Sequence, residues 1–227
     1  PYHFAALAAD VSALLDSLGL AAQPVVLLGH STGGMLAAHF ALLYPGRVAK
    51  LVLEDPIGLE DYSRLAPPQS TETLYQAELK NRDPVKIAAF FARYFTEPRP
   101  DLVPDLAKVP VGVAKSRDFP TWAKASARAY QMIYTEPVIE RFAAIATPTL
   151  LVVGAEDHAA PFAAYAAPEI RSTMGQNAAL AQAAAATMPH ARLEIIPECG
   201  HIPHLERPTA FKKVLFDFLN DPLTPNP

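Results

Sequence analysis

Apolar residues near the start of the chain recur in steps of three and four: Phe4, Leu7, Ala8, Val11, Leu14, Leu15 and Leu18. That spacing predicts a helix with one apolar face, and Gly19 is a suitable stop. After a turn at Pro24 the period disappears. Val25, Val26, Leu27 and Leu28 form an unbroken apolar run ending at Gly29, the pattern of a strand buried on both faces in a parallel sheet. The stretch from Gly33 to Tyr44 predicts a second helix, stopped by Pro45 and Gly46, and Val48 to Leu53 a second strand. This alternation points to α/β architecture with a parallel sheet.

From about 58 to 141 no strand signal appears. The segment is rich in aromatic residues and is expected to be a set of helices inserted between strands, broken by prolines at 98, 100, 104 and 110. It is too long for a plain connection, so it is expected to serve the function. Its aromatics at 122, 130 and 134 are candidates either for a pocket wall or for plain packing. Strand character returns at Thr149 to Val153. A helix follows at about 177–187, a strand at 192–196, and a last amphipathic helix at about 209–219 with Phe211, Val214, Leu215, Phe218 and Leu219 inward. The proline-rich tail is expected to be loose.

Composition narrows the choices. The chain has 227 residues, 51% hydrophobic and 19% charged, with a formal charge of −4. It can fill a real core and is not disordered throughout. There is no basic excess to attract nucleic acid and no apolar run long enough to span a bilayer. A single cysteine, Cys199, excludes an intrachain disulfide framework. The chain starts at Pro1 with no signal-peptide pattern, which leaves the compartment open.

The candidate chemistry sits at strand ends. Gly29-His30-Ser31-Thr32-Gly33 falls between a buried strand and a helix, the context that gives G-x-S-x-G its meaning. Glycines at 29 and 33 are expected to leave room for a sharp turn that exposes the Ser31 hydroxyl. The Thr32 N–H, at the helix N-terminus, is a candidate oxyanion donor. A serine hydroxyl needs a base, and the base an orienting acid. Asp157 follows the third strand and His201 the fourth, so both are expected at the edge of the sheet where Ser31 lies. Asp55, after the second strand, is a rival acid, and His204 a rival to His201. Glu156 and Glu198 are expected to be surface carboxylates, and His30 a structural group. Cys199, His201 and His204 lack the separated second ligand cluster of a usual zinc site.

These motifs resemble the α/β-hydrolase superfamily, in its serine-nucleophile branch with a helical cap. The resemblance is carried by GHSTGG at the serine, TPTLLVVGAEDHAAP around the acid and CGHIPHLERP around the histidine. It implies an α/β-hydrolase fold with a mostly parallel sheet, divided into core (1–57), helical cap (58–140) and core (141–227). It implies Ser31 as nucleophile, His201 as general base, Asp157 as orienting acid, and no metal or organic cofactor. Serine at 31 disfavours relatives that use an aspartate nucleophile. The expected activity is hydrolysis of a small to medium hydrophobic carboxylic ester, such as a methyl ester or lactone. Alternatives are carbon–carbon bond hydrolysis of a ring-cleavage product and a slow-turnover ligand receptor. In this family further strands normally precede the serine, with a loop giving a second oxyanion donor. The expectation is therefore a C-terminal part of a longer hydrolase, with a companion N-terminal segment as a partner. Alone, its first strand would be an exposed apolar edge, and the chain poorly soluble and nearly inactive.

Overall fold

The computed structural model describes residues 2–221; the tail expected to be loose lies, beyond Asp221, outside them. Four parallel strands, β1 (Val25–His30), β2 (Val48–Glu54), β3 (Thr149–Gly154) and β4 (Ala191–Ile196), form one sheet in the order β1-β2-β3-β4. Helices α1 (Phe4–Ser17) and α2 (Thr32–Leu43) flank the first two strands. Between β2 and β3 run α3 (Tyr62–Leu65), α4 (Thr71–Leu79), α5 (Pro84–Ala92), α6 (Val103–Lys115) and α7 (Phe119–Thr135). Then come α8 (Pro168–Arg171), α9 (Asn177–Thr187), α10 (Pro203–Glu206) and α11 (Pro208–Asn220).

The two-residue period of the strands sorts the core. Leu51, Leu53, Leu151 and Val153 point into a large cluster shared with α1, α2 and α9. Val52, Leu150 and Val152 face the other way, onto Phe211 and Phe218 of α11. Buried Lys50 anchors that helix by donating from Nζ to the carbonyls of Phe218, Leu219 and Asp221, at 2.8–2.9 Å. A cation there also complements the negative end of the helix dipole.

Three expectations need correction. In α1 only Phe4 and Ala8 are buried, with Leu7, Val11 and Leu15 packed behind them, while Leu14 and Leu18 are exposed; the true stripe is narrower than the three-and-four spacing drew it. β1 is not buried on both faces: among the described residues it pairs with β2 alone, and α11 packs on β2, β3 and β4 without covering β1. Val26 is 51% and Leu28 43% exposed. Pro110 does not break its segment; it lies inside α6, where buried Ala107 and Ala114 pack with Ile87 of α5 and carry the helix across the lost hydrogen bond. With Phe119, these residues give the inserted helices a small core of their own.

Candidate active site

The β1–α2 connection is a single residue, Ser31, held at φ 55°, ψ −120°. A non-glycine residue at positive φ is costly and must be held by its surroundings. Here the Ser31 N–H donates to Glu54 O (3.1 Å), and its carbonyl accepts from the N–H groups of Gly34, Met35 and Ile57. At Gly29 a Cβ would fall 2.2 Å from the Gly33 carbonyl oxygen, so only glycine fits. Gly33 is different from expectation. It has open space where a side chain would go, and the tight neighbour is Gly34, pressed against Pro56. The turn is crowded by the Gly33 backbone, not by its missing side chain.

The loops after β3 and β4 meet this turn. They approach so closely that a Cβ on Gly154 would lie 2.1 Å from the Gly200 carbonyl oxygen. His201 Nε2 is 2.9 Å from Ser31 Oγ, and Nδ1 is 3.0 Å from Asp157 Oδ1. An ionised carboxylate only accepts, so the ring proton sits on Nδ1, and Nε2 accepts from the Ser31 hydroxyl. Asp157 and His201 are each 2% exposed. Asp157 Oδ1 also accepts from the Ala159 N–H and Oδ2 from Asn177 Nδ2, both at 2.9 Å. Burial pushes the Asp157 carboxyl up, but the hydrogen bond and attraction from His201 outweigh it and hold the group below the ordinary carboxylate range.

The structure places the other candidates apart from this chain or behind it. His204 Nδ1 is 2.8 Å from buried Glu54, turned away from Ser31. His30 donates from Nε2 to the His201 carbonyl (2.7 Å), a structural bond. Burial keeps its ring below the usual histidine range, hence neutral near pH 7. Glu198 and Glu156 are exposed, though Glu156 borders the cavity. Cys199 is fully buried, and burial pushes its thiol up, so it is no ligand or nucleophile at neutral pH. Asp55, Asp157 and His201 place donor atoms within 4.8 Å of one another. Both ring nitrogens of His201 are already engaged, which leaves this cluster no free nitrogen for a metal.

Two contributors escaped the sequence reading. Asn177 is buried at the start of α9 and fixes Asp157 and the Ala159 carbonyl together. From the sequence it reads as an ordinary residue at a helix start. Tyr94, after α5, accepts the His201 N–H at its carbonyl (2.8 Å) and packs its ring 4.7 Å from the imidazole. Thr96 then bonds buried Glu206, which also takes the Gly200 N–H. The inserted helices thus clamp the histidine loop.

Ser31, Thr32 and His201 line a cavity of about 850 Å³. Thr32 lies in the first turn of α2, where N–H groups have no acceptor within the helix. Leu74, Tyr130, Ile133 and Phe162 give an apolar wall, but Glu78, Lys80, Lys86 and Arg93 line it as well, so it is more polar than the aromatic count implied. Of the three aromatics singled out, only Tyr130 faces the cavity. Trp122 stacks on Phe119, and Tyr134 is buried, donating to the Ala66 carbonyl. Among the described residues no helix is long and apolar enough to cross a membrane.

Comparison with known proteins identifies the fold family. The model of the alpha/beta hydrolase fold family matches residues 1–208. A crystal structure from Pseudomonas aeruginosa PAO1, described as a probable hydrolytic enzyme, is 36% identical with a TM-score of 0.92, and the match covers 96% of this chain and 70% of that one. A thermophilic esterase from Thermogutta terrifontis is 25% identical with a TM-score of 0.66, over 96% of this chain and 72% of its own. A Bacillus subtilis (strain 168) protein, provisionally named 2-succinyl-6-hydroxy-2,4-cyclohexadiene-1-carboxylate synthase, is 27% identical over 92% of this chain and 70% of its own length.

Proposed function

The chain belongs to the alpha/beta hydrolase fold family, and from that premise we propose that it is a serine hydrolase cleaving a small to medium carboxylic ester through an acyl-enzyme. The observation that carries this reading is the hydrogen-bonded chain Ser31 Oγ, His201 Nε2, His201 Nδ1, Asp157 Oδ1. In the mechanism Ser31 Oγ attacks the ester carbonyl as its proton passes to His201 Nε2. Asp157 holds the ring orientation and stabilises the imidazolium that forms. The Thr32 N–H donates to the developing oxyanion at the head of α2. His201 returns the proton to the leaving alkoxide. Water, deprotonated by the same nitrogen, then attacks the acyl carbon, and His201 passes that proton to Oγ as the acyl–oxygen bond breaks, which releases the acid and restores Ser31.

The helices of 58–140 act as the cap, since they line the cavity over Ser31 and hold the histidine loop through Tyr94 and Thr96. The name of the Thermogutta relative supports an ester substrate. A companion strand is a further proposed partner: it would pair with the edge of β1 that no described strand covers and shield Val26 and Leu28.

One observation favours a second reading. Lys80, Lys86 and Arg93 on the cavity suit a substrate bearing a carboxylate, as in carbon–carbon bond hydrolysis of a ring-cleavage product. The deciding experiment is steady-state turnover of p-nitrophenyl esters of graded acyl length beside a dienoate ring-cleavage product, with Ser31→Ala as control. Ester turnover lost in Ser31→Ala supports the first reading, and dienoate turnover alone supports the second. A single-turnover burst with no steady rate would favour the receptor.

A further inference from the structure

Asp55 is the least explained group near the site. It directly follows β2 and is 1% exposed. Its backbone is held at φ 38°, a costly conformation for an aspartate. The backbone N–H bonds Val152 O, and Oδ1 accepts the Gly154 N–H, both at 2.9 Å, so the residue ties the end of β2 to the end of β3. Oδ2, equally buried, meets no N–H or O–H donor, and the group beside the carboxyl is the carboxyl of Asp157. A buried polar atom in this state costs stability and calls for an explanation. The carboxyl lies in the cluster with Asp157 and His201, their donor atoms all within 4.8 Å.

Capping Gly154 accounts for Oδ1 alone, and an asparagine would do it without a second carboxyl beside Asp157. Four titratable groups act on Asp55: Asp157 from the loop after β3 and His201 from the loop after β4, which share its cluster, and Cys199 and Glu54, which are near enough to be felt through their charge. Among them only His201 can become positive. Two carboxylates this close and this dry do not both ionise. Burial first, and the Asp157 charge next, push the Asp55 carboxyl well above the ordinary range, so Asp157 holds the negative charge and Asp55 holds a proton.

We propose that His201 is oriented by a two-carboxyl unit, Asp157 and Asp55, carrying one negative charge between them, which makes Asp55 a positioning residue of the site. The proposal rests on the serine-hydrolase reading. When the charge on Asp157 is removed, the repulsion that keeps Asp55 protonated goes with it. Asp55 then ionises a short side-chain movement from His201.

The test is a double-mutant cycle on the protein purified with its companion segment, read by kcat/KM for a p-nitrophenyl ester and by the rate of labelling with a serine-directed phosphonate. Folding of each variant is checked by circular dichroism. The Ser31→Ala control should abolish both signals; a control that keeps them overturns the serine reading itself. Asp55→Asn alone costs about 3-fold, since the amide keeps the Gly154 bond. Asp157→Asn costs about 10²-fold, against the ~10⁴-fold seen where a triad has one acid only. Adding Asp55→Asn to Asp157→Asn costs a further 30-fold or so, a coupling that a purely structural cap does not produce. The acid limb of the pH–rate profile, which reports protonation of His201, stays near its original position in Asp157→Asn and moves to lower pH in the double variant, where no carboxylate is left beside the imidazolium. A double variant only 3-fold below Asp157→Asn, with the same pH profile, overturns the proposal.

Discussion

The turns at the C-terminal edge of the sheet and the helices inserted between β2 and β3 meet at one cavity but are built on opposite principles. The turns are over-determined. Ser31 is pinned by four backbone hydrogen bonds, and Gly29 and Gly154 sit where a single added carbon would strike backbone. The inserted helices touch the same space with side chains of mixed size and charge, from Leu74 and Tyr130 to Lys86 and Arg93. Their own core is small, made of Ile87, Ala107, Ala114 and Phe119. The first region fixes a hydrogen-bonded chain through backbone contacts that leave no room for a side chain. The second shapes what reaches it. Chemistry and selectivity are thus expected to separate under mutation.

The sharpest break is Ser31→Ala. It should lower ester turnover by about 10³- to 10⁶-fold with little change in melting temperature, since it removes one oxygen from a turn held by its backbone. Steady-state rates and a thermal melt check both halves. Gly29→Ala should do the reverse and attack the frame, costing at least about 2 kcal/mol because the new Cβ meets the Gly33 carbonyl rather than a movable side chain. Denaturant unfolding measures it. On the inserted helices, Tyr130→Ala should change the ratio of kcat/KM between short and long acyl chains by about 10-fold while phosphonate labelling of Ser31 persists. Equal loss for all esters would mean that Tyr130 serves the frame.

The smallest effect concerns stability against pH. Asp55 has its carboxyl raised in the folded state, so the native chain binds more protons than the unfolded one above the ordinary aspartate range. Its contribution to stability therefore falls as pH rises through the unfolded value, until the native group ionises. Asp55→Asn removes this cost. It should raise the melting temperature by a few degrees at pH 7 and by nothing near pH 3. Asp157 has the opposite sign: its lowered carboxyl stabilises the fold above the unfolded value and loses that stabilisation as pH falls through the folded one. Asp157→Asn should therefore lose stability at pH 7 and recover the difference in acid.

The strands and their order of helices were legible because long apolar runs bounded by Gly and Pro leave few alternatives. The fold family was legible from three short motifs tied to strand ends, and the family match over residues 1–208 agrees with it. Ser31, Asp157 and His201, named from those motifs, meet in the structure, with their roles resting on the proposed chemistry. Other features were beyond a linear reading. VVLLGH and TLLVVG look alike on paper, yet β3 is buried throughout while β1 leaves Val26 and Leu28 open. Burial depends on neighbours, and the apolar pattern records only the residue's own preference.

What the sequence determined by itself is therefore local: where the backbone turns, which faces are apolar, and which side chains stand at the ends of strands. Those follow from glycine, proline and the periods of helix and strand, which act over a few residues. The tertiary structure decided the rest. It brought Asn177 to Asp157, set the carbonyl of Tyr94 on the His201 N–H, and enclosed Asp55 beside a second carboxylate. These are contacts between segments tens of residues apart, and their strength comes from the exclusion of water, which no stretch of the chain achieves alone.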